Sequence, residues 1–125
     1  MILDTNAISA LFIGDSNLAK VLAGSLRHHL PVIVLGEYRY GLLQSRDRAR
    51  LGALLNQLER QSVVLEIDRA TTRVYARVRE QLRERGTPIP ENDVWIAALA
   101  VQHRLPIVSK DNHFDVVPGL KRIAW

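Results

Sequence analysis

Cysteine is absent from the chain, which excludes disulfides, zinc–thiolate sites and a cysteine nucleophile. That absence fits a reducing compartment. Long hydrophobic runs are lacking as well. The apolar stretch that ends at Val101 falls far short of the roughly 20 residues a membrane-crossing helix needs. No secretory leader is read at the start, because Asp4 interrupts the only hydrophobic opening segment. A cytoplasmic location is expected. Repeats, low-complexity tracts and Pro- or Gly-rich linkers are missing too, so residues 1–125 are expected to form a single domain.

What is present suits one ordinary domain with a single core. Hydrophobic residues make up 47% of the chain and charged residues 24%, a balance that argues against disorder. The net charge is +4, and 14 of the 17 basic residues are arginine. Arginine favours bidentate phosphate contact, so a nucleic-acid partner is consistent with the composition. An ordinary solvated surface explains the same count.

Met1–Leu3 reads as a short buried strand with Asp4 at its carboxyl end. Thr5 and Asn6 are read as the cap of a short helix over Ala7–Ile13, and a second helix is expected from Ser16 to about His29. Pro31–Leu35, apolar throughout, reads as a strand buried on both faces. Helix resumes near Gly36, breaks around Gln44–Asp47, and continues through Leu51, Leu54, Leu55 and Leu58. Val63–Ile67 is a third strand. Arg69–Arg85 is a long amphipathic helix with Val74, Val78 and Leu82 on one stripe, ended by Gly86. Pro88 and Pro90 force an extended link to an apolar helix over Asp93–His103. Pro106–Val108 and Lys121–Ala124 are the last strands. This alternation predicts an α/β fold, a three-layer α/β/α arrangement with a mostly parallel sheet of four to five strands. Ligands of such sheets bind beyond the carboxyl ends of the strands.

Four acids stand where the chain leaves a strand or enters a helix: Asp4, Glu37, Asp93 and Asp111. Taken singly, each has an ordinary explanation. Asp4 and Asp111 suit turns, and Glu37 suits the first turn of a helix, where it meets the positive end of the dipole. Asp93 lies in the polar segment Glu91–Asp93 that opens an otherwise apolar helix, and capping accounts for one of those three polar residues. Jointly the four acids ask for as many coincidences along one sheet edge. Carboxylates gathered in one pocket repel one another, and a hard divalent cation, Mg²⁺ or Mn²⁺, is the usual remedy.

The segments Ile2–Asn6, Val32–Gly41, Asn92–Ala100 and Ile107–Phe114, with the ending Val117–Leu120 and Trp125, resemble the PIN-domain ribonucleases. The likeness is to the short VapC-type toxins of toxin–antitoxin pairs, and it spans essentially the whole chain. By position, Asp4, Glu37, Asp93 and Asp111 match the acidic quartet of that family. Ser109 matches its small hydroxyl, and Asn6 and Asn92 match flanking polar positions. Gly36 stands where the family more often has alanine, with Arg39 close behind. The fourth acid is the least regular, so Asp111 and Asp115 both remain candidates.

The resemblance implies hydrolysis of RNA phosphodiester bonds with water activated by Mg²⁺ or Mn²⁺. Asp4 and Asp93 would be the primary ligands, with Glu37 and Asp111 completing the site. No chemical role is assigned to His113, and His28, His29 and His103 read as helix-end or surface residues. Arg39 and Lys110 are candidates to hold the RNA at the rim, with Arg46, Arg48 and Arg50 behind them. Arg69, Arg73 and Arg77 read as a solvated face paired with Glu66, Glu80 and Glu84. A homodimer and a VapB-like antitoxin are the implied partners, and apolar Leu11, Phe12, Val21, Leu42, Leu43, Leu54 and Leu55 exceed what a small core needs. Two other readings remain. One is a haloacid-dehalogenase-like phosphatase, which wants a second aspartate where Asn6 stands; the other is a non-catalytic RNA- or partner-binding domain.

Overall fold

A computed structural model describes residues 1–125. Five strands form one sheet: β1 (Ile2–Leu3), β2 (His29–Pro31), β3 (Val63–Leu65), β4 (Ile107–Val108) and β5 (Arg122–Ile123). Their order is β3-β2-β1-β4-β5 and every pairing is parallel. All carboxyl ends therefore share one edge. The central strand β1 pairs Ile2 with both His29 and Ile107, and Leu3 with Val108. Ile2, Leu3, Leu30, Ile107 and Val108 are wholly buried, as central parallel strands must be. The expected α/β/α architecture is the observed one.

Six helices complete the fold: α1 (Thr5–Phe12), α2 (Ser16–Leu22), α3 (Val32–Leu42), α4 (Arg48–Arg60), α5 (Arg69–Glu84) and α6 (Glu91–His103). Helix α6 is the most buried, with Val94 and Ile96–Ala100 all inside. Its run of small residues lets α5 lie close against it. Helix α5 presents the predicted stripe, Val74, Val78 and Leu82, to the core. Asp68 and Thr71 form a capping box at its start, and the buried Thr71 hydroxyl lies 2.7 Å from Gln102 Oε1, joining α5 to α6. No helix is long and apolar enough to cross a membrane.

Several boundaries differ from the sequence reading. Val32–Leu35 is the first turn of α3, not a strand; β2 ends at Pro31, which occupies the N-cap position. A helix with several covered faces is apolar in the same way as a buried strand, and periodicity does not separate them. Pairing does: His29, Leu30 and Pro31 are in register with Val63, Val64 and Leu65, and the chain then leaves the sheet. Helix α2 stops at Leu22 and not near His29, and Ser25 closes the following turn by donating to the Arg27 carbonyl at 2.9 Å. His28 and His29 accordingly lie at the start of β2 rather than at a helix end. Asp4, not Thr5 or Asn6, caps α1.

The expected apolar surplus is mostly absorbed. Leu55 is fully buried, and Leu11, Phe12, Val21 and Leu42 pack part-buried against the core. Leu43 remains 68% exposed, and Tyr40, one turn earlier on α3, is 67% exposed. Arg69, Arg73 and Arg77 make no ion pairs. Glu80 pairs instead with Arg83.

Candidate active site

Asp4 follows β1 directly. Its backbone N–H still donates to the Val108 carbonyl at 3.2 Å, so the sheet itself fixes where the side chain starts. The residue is 5% exposed. One oxygen accepts the Thr5 N–H at 2.9 Å and the other accepts the Ser109 hydroxyl at 2.7 Å. Ser109 leaves the adjacent strand β4 and is fully buried; its oxygen also accepts the Asp111 N–H at 2.9 Å. Asn6 spans the same gap. Its amide donates to Ser109 Oγ at 3.3 Å and its carbonyl accepts the Lys110 N–H at 3.2 Å. The start of α1 and the exit from β4 are thereby stapled together.

The other acids come from elements that end or begin at this edge. Glu37 lies in the second turn of α3, beyond the reach of the first-turn dipole effect expected from the sequence. Asp93 sits in the first turn of α6, whose Pro90 N-cap provides no side-chain cap. Asp111 caps a short 3-10 turn, Asn112–Val116, through the His113 N–H at 2.9 Å. Phe114, fully buried, pins that turn to the core.

Asp4, Glu37, Asp93 and Asp111 face one open cleft of about 520 Å³, together with Asn6, Asn92 and His113. No hydrophobic residue and no lysine or arginine lines it. Burial pushes the Asp4 carboxyl above the ordinary range, against the hydrogen bonds from Ser109 and Thr5, and the Asp111 charge adds to the rise. Glu37 is raised by burial and then by Asp4 and Asp93, with Asn92 opposing. Asp93 is raised by burial, with the His113 hydrogen bond opposing and the charges of Asp111 and Asp4 reinforcing. His113 is raised in turn, chiefly by its bond to Asp93.

His113 is the residue that sequence reasoning passed over. Its Nδ1 lies 3.0 Å from Asp93 Oδ2 and 3.0 Å from Asp111 Oδ1. The available signal was its place two residues after Asp111 in a tight turn. Glu91 was also unassigned; it lines the cleft and ties Arg79 to it at 3.1 Å.

Other candidates fall outside the cleft. Asp115 is held by Arg122 at 2.7 and 2.9 Å, which depresses its carboxyl below the ordinary range. Arg39 reaches to α4, where it meets Asn56 at 3.1 Å and Glu59 at 3.4 Å. Lys110 covers the Trp125 ring at 4.9 Å, and Arg50 pairs with Asp47.

Oxygen donors dominate the cleft, and one atom each from Asp93, Asp111 and His113 lie within 4.8 Å of one another. Such a set fits a small divalent cation. Residues 1–120 match the PIN domain family along nearly the whole chain. The chain belongs to the PIN-domain family. This PIN domain is 35% identical over 95 residues to Ribonuclease VapC4 of Mycobacterium tuberculosis, covering 74% of this chain and 73% of that protein. It is similar in structure to a chain of VapBC-5, a member of the VapBC family of toxin–antitoxin systems from Mycobacterium tuberculosis, with TM-score 0.78, 30% identity and coverage of 99% and 97%. A chain of VapBC2 from Rickettsia felis, bound to a DNA fragment from their promoter, gives TM-score 0.85 at 25% identity, with coverage of 99% and 97%.

Proposed function

We propose that this PIN domain is a metal-dependent endoribonuclease and the toxin of a toxin–antitoxin pair, acting in the cytoplasm. The observation that supports it best is the meeting of four carboxylates from four separate stretches of chain in one cleft without lysine or arginine. Burial and mutual charge raise Asp4, Glu37 and Asp93 together, an arrangement that is unfavourable unless positive charge enters. A bound Mg²⁺ or Mn²⁺ supplies that charge, and with it the Lewis acidity to activate water and stabilise a phosphodiester under attack.

Asp93 and Asp111 would present oxygens to the cation, with Asp4 and Glu37 completing the negative lining. Ser109 and Asn6 hold Asp4 and the β4 exit in place. Asn92, on the cleft wall, supports the Glu37 carboxylate. Because Arg39 and Lys110 are engaged elsewhere, basic contact with RNA falls to groups beyond the lining, Arg79 being the arginine joined to it through Glu91. The acidic cleft also suits a basic segment of a VapB-like antitoxin, in line with the VapBC complexes among its structural neighbours. Exposed Leu43 and Tyr40 support a homodimer.

The purified chain should cut RNA only with Mg²⁺ or Mn²⁺ added. Asp4→Asn and Asp93→Asn should each abolish cutting while circular dichroism stays unchanged. RNA that is bound yet never cut with either ion would refute the enzyme reading. Growth arrest on expression, relieved by Asp93→Asn, tests the toxin assignment, and light scattering tests the dimer.

A further inference from the structure

His113 stands apart from the other cleft residues because it is the only nitrogen base among the acids. Its ring is 45% exposed and has no other side-chain partner: Nδ1 is 3.0 Å from Asp93 Oδ2 and 3.0 Å from Asp111 Oδ1. Its backbone is fixed as well, since its N–H donates to Asp111 and the next residue, Phe114, is fully buried. An ion pair to a ring that is 45% exposed adds little to stability, so fold maintenance explains this placement poorly.

The separations have a second meaning. Neighbouring ligands around an octahedral ion with bonds of about 2.1 Å lie about 3.0 Å apart, from simple geometry. The Nδ1–Oδ2 and Nδ1–Oδ1 separations already equal that edge, and the three residues each offer a donor atom within 4.8 Å of the other two. A proton shared along those edges and a cation bound inside them need nearly the same positions of the heavy atoms. Imidazole is also a softer donor than carboxylate or water, and it favours transition ions over Mg²⁺.

We propose that His113 ligates the catalytic cation through Nδ1, beside Asp93 and Asp111, and that this nitrogen makes the centre prefer Mn²⁺ to Mg²⁺. The inference rests on the metal-dependent reading above, but its test does not depend on turnover. Mn²⁺ is added to the full chain and pulsed electron paramagnetic resonance reads the ¹⁴N modulation of a coordinated imidazole. The unmutated protein shows that modulation. His113→Ala loses it and binds Mn²⁺ roughly tenfold or more weakly, while Mg²⁺ affinity, read by calorimetry, changes little. His113→Asp regains Mn²⁺ binding without nitrogen modulation and with a reduced preference for Mn²⁺. Manganese bound without ¹⁴N modulation in the unmutated chain, or modulation that survives in His113→Ala, overturns the ligation and leaves the carboxylate centre standing. Failure to bind Mn²⁺ at all overturns both.

Discussion

Ser109 donates its hydroxyl to Asp4 at 2.7 Å across 105 residues of sequence, and both side chains are buried. The bond ties β4 to β1 at the edge where the acids meet, and it supports the charge on the most buried of them. Ser109→Ala leaves that oxygen of Asp4 without its protein donor. We expect the variant to lose about 2 kcal/mol of unfolding free energy in urea, the usual range for a hydrogen bond to a charged group. Metal affinity should fall with it. A variant as stable as the unmutated chain would show that the bond is incidental.

Asp4 has a second consequence, which depends on pH. Its carboxyl is raised above its unfolded value, mainly by burial. In chelator, the ionised group therefore destabilises the fold at pH values above that raised pKa. Below the unfolded carboxylate pKa of about 4, both states are protonated and the penalty disappears. Asp4→Asn should melt higher than the unmutated chain at pH 7.5, and the difference should shrink steadily toward pH 4. Saturating Mn²⁺ should reverse the order at pH 7.5, because a ligand bound only by the folded state stabilises it. A melting difference that is flat with pH would remove Asp4 as a strained acid.

Asp111 and Asp115 are separable by mutation. Asp111 faces the cleft, whereas Asp115 is neutralised by Arg122, which also donates to the Ser109 carbonyl at 3.0 Å. Asp111→Asn should weaken metal binding by about tenfold or more. Asp115→Asn should leave RNA cleavage per bound metal near that of the unmutated chain. The reverse ranking would make Asp115 the fourth acid.

Gly36 lies inside α3, one residue before Glu37, and a methyl group there would meet nothing within 4 Å. Glycine inside a helix costs about 0.5–1 kcal/mol relative to alanine. Gly36→Ala should raise stability by about that amount in urea titration, with cleavage unchanged. A loss of activity would mean that a loosened turn at Glu37 is needed for turnover.

Helix α5 shows what was legible without coordinates: its stripe, its stop at Gly86 and its polar face follow from spacing, and they survive folding intact. Val32–Leu35 shows the opposite. Four apolar residues suit strand or helix equally, and only the parallel partners of β2 settled the matter. The choice shifts Glu37 from the first helical turn to the second. It removes the dipole explanation and leaves the cleft as the account of that acid.

Residue types and their order along the chain set the donor chemistry: carboxylates after strands and before helices, with no cysteine to compete for a cation. They also set the strand–helix alternation, because hydrophobic periodicity is local. Convergence is not local. That Asp111 turns into the cleft while Asp115 turns to Arg122, and that His113 lies between two acids, were decided by the parallel sheet and the buried Phe114, whereas Arg39 binds α4 because α3 packs against α4. Side-chain direction in a tight turn depends on which neighbour anchors to the core, and the core that receives Phe114 is built from residues remote in sequence.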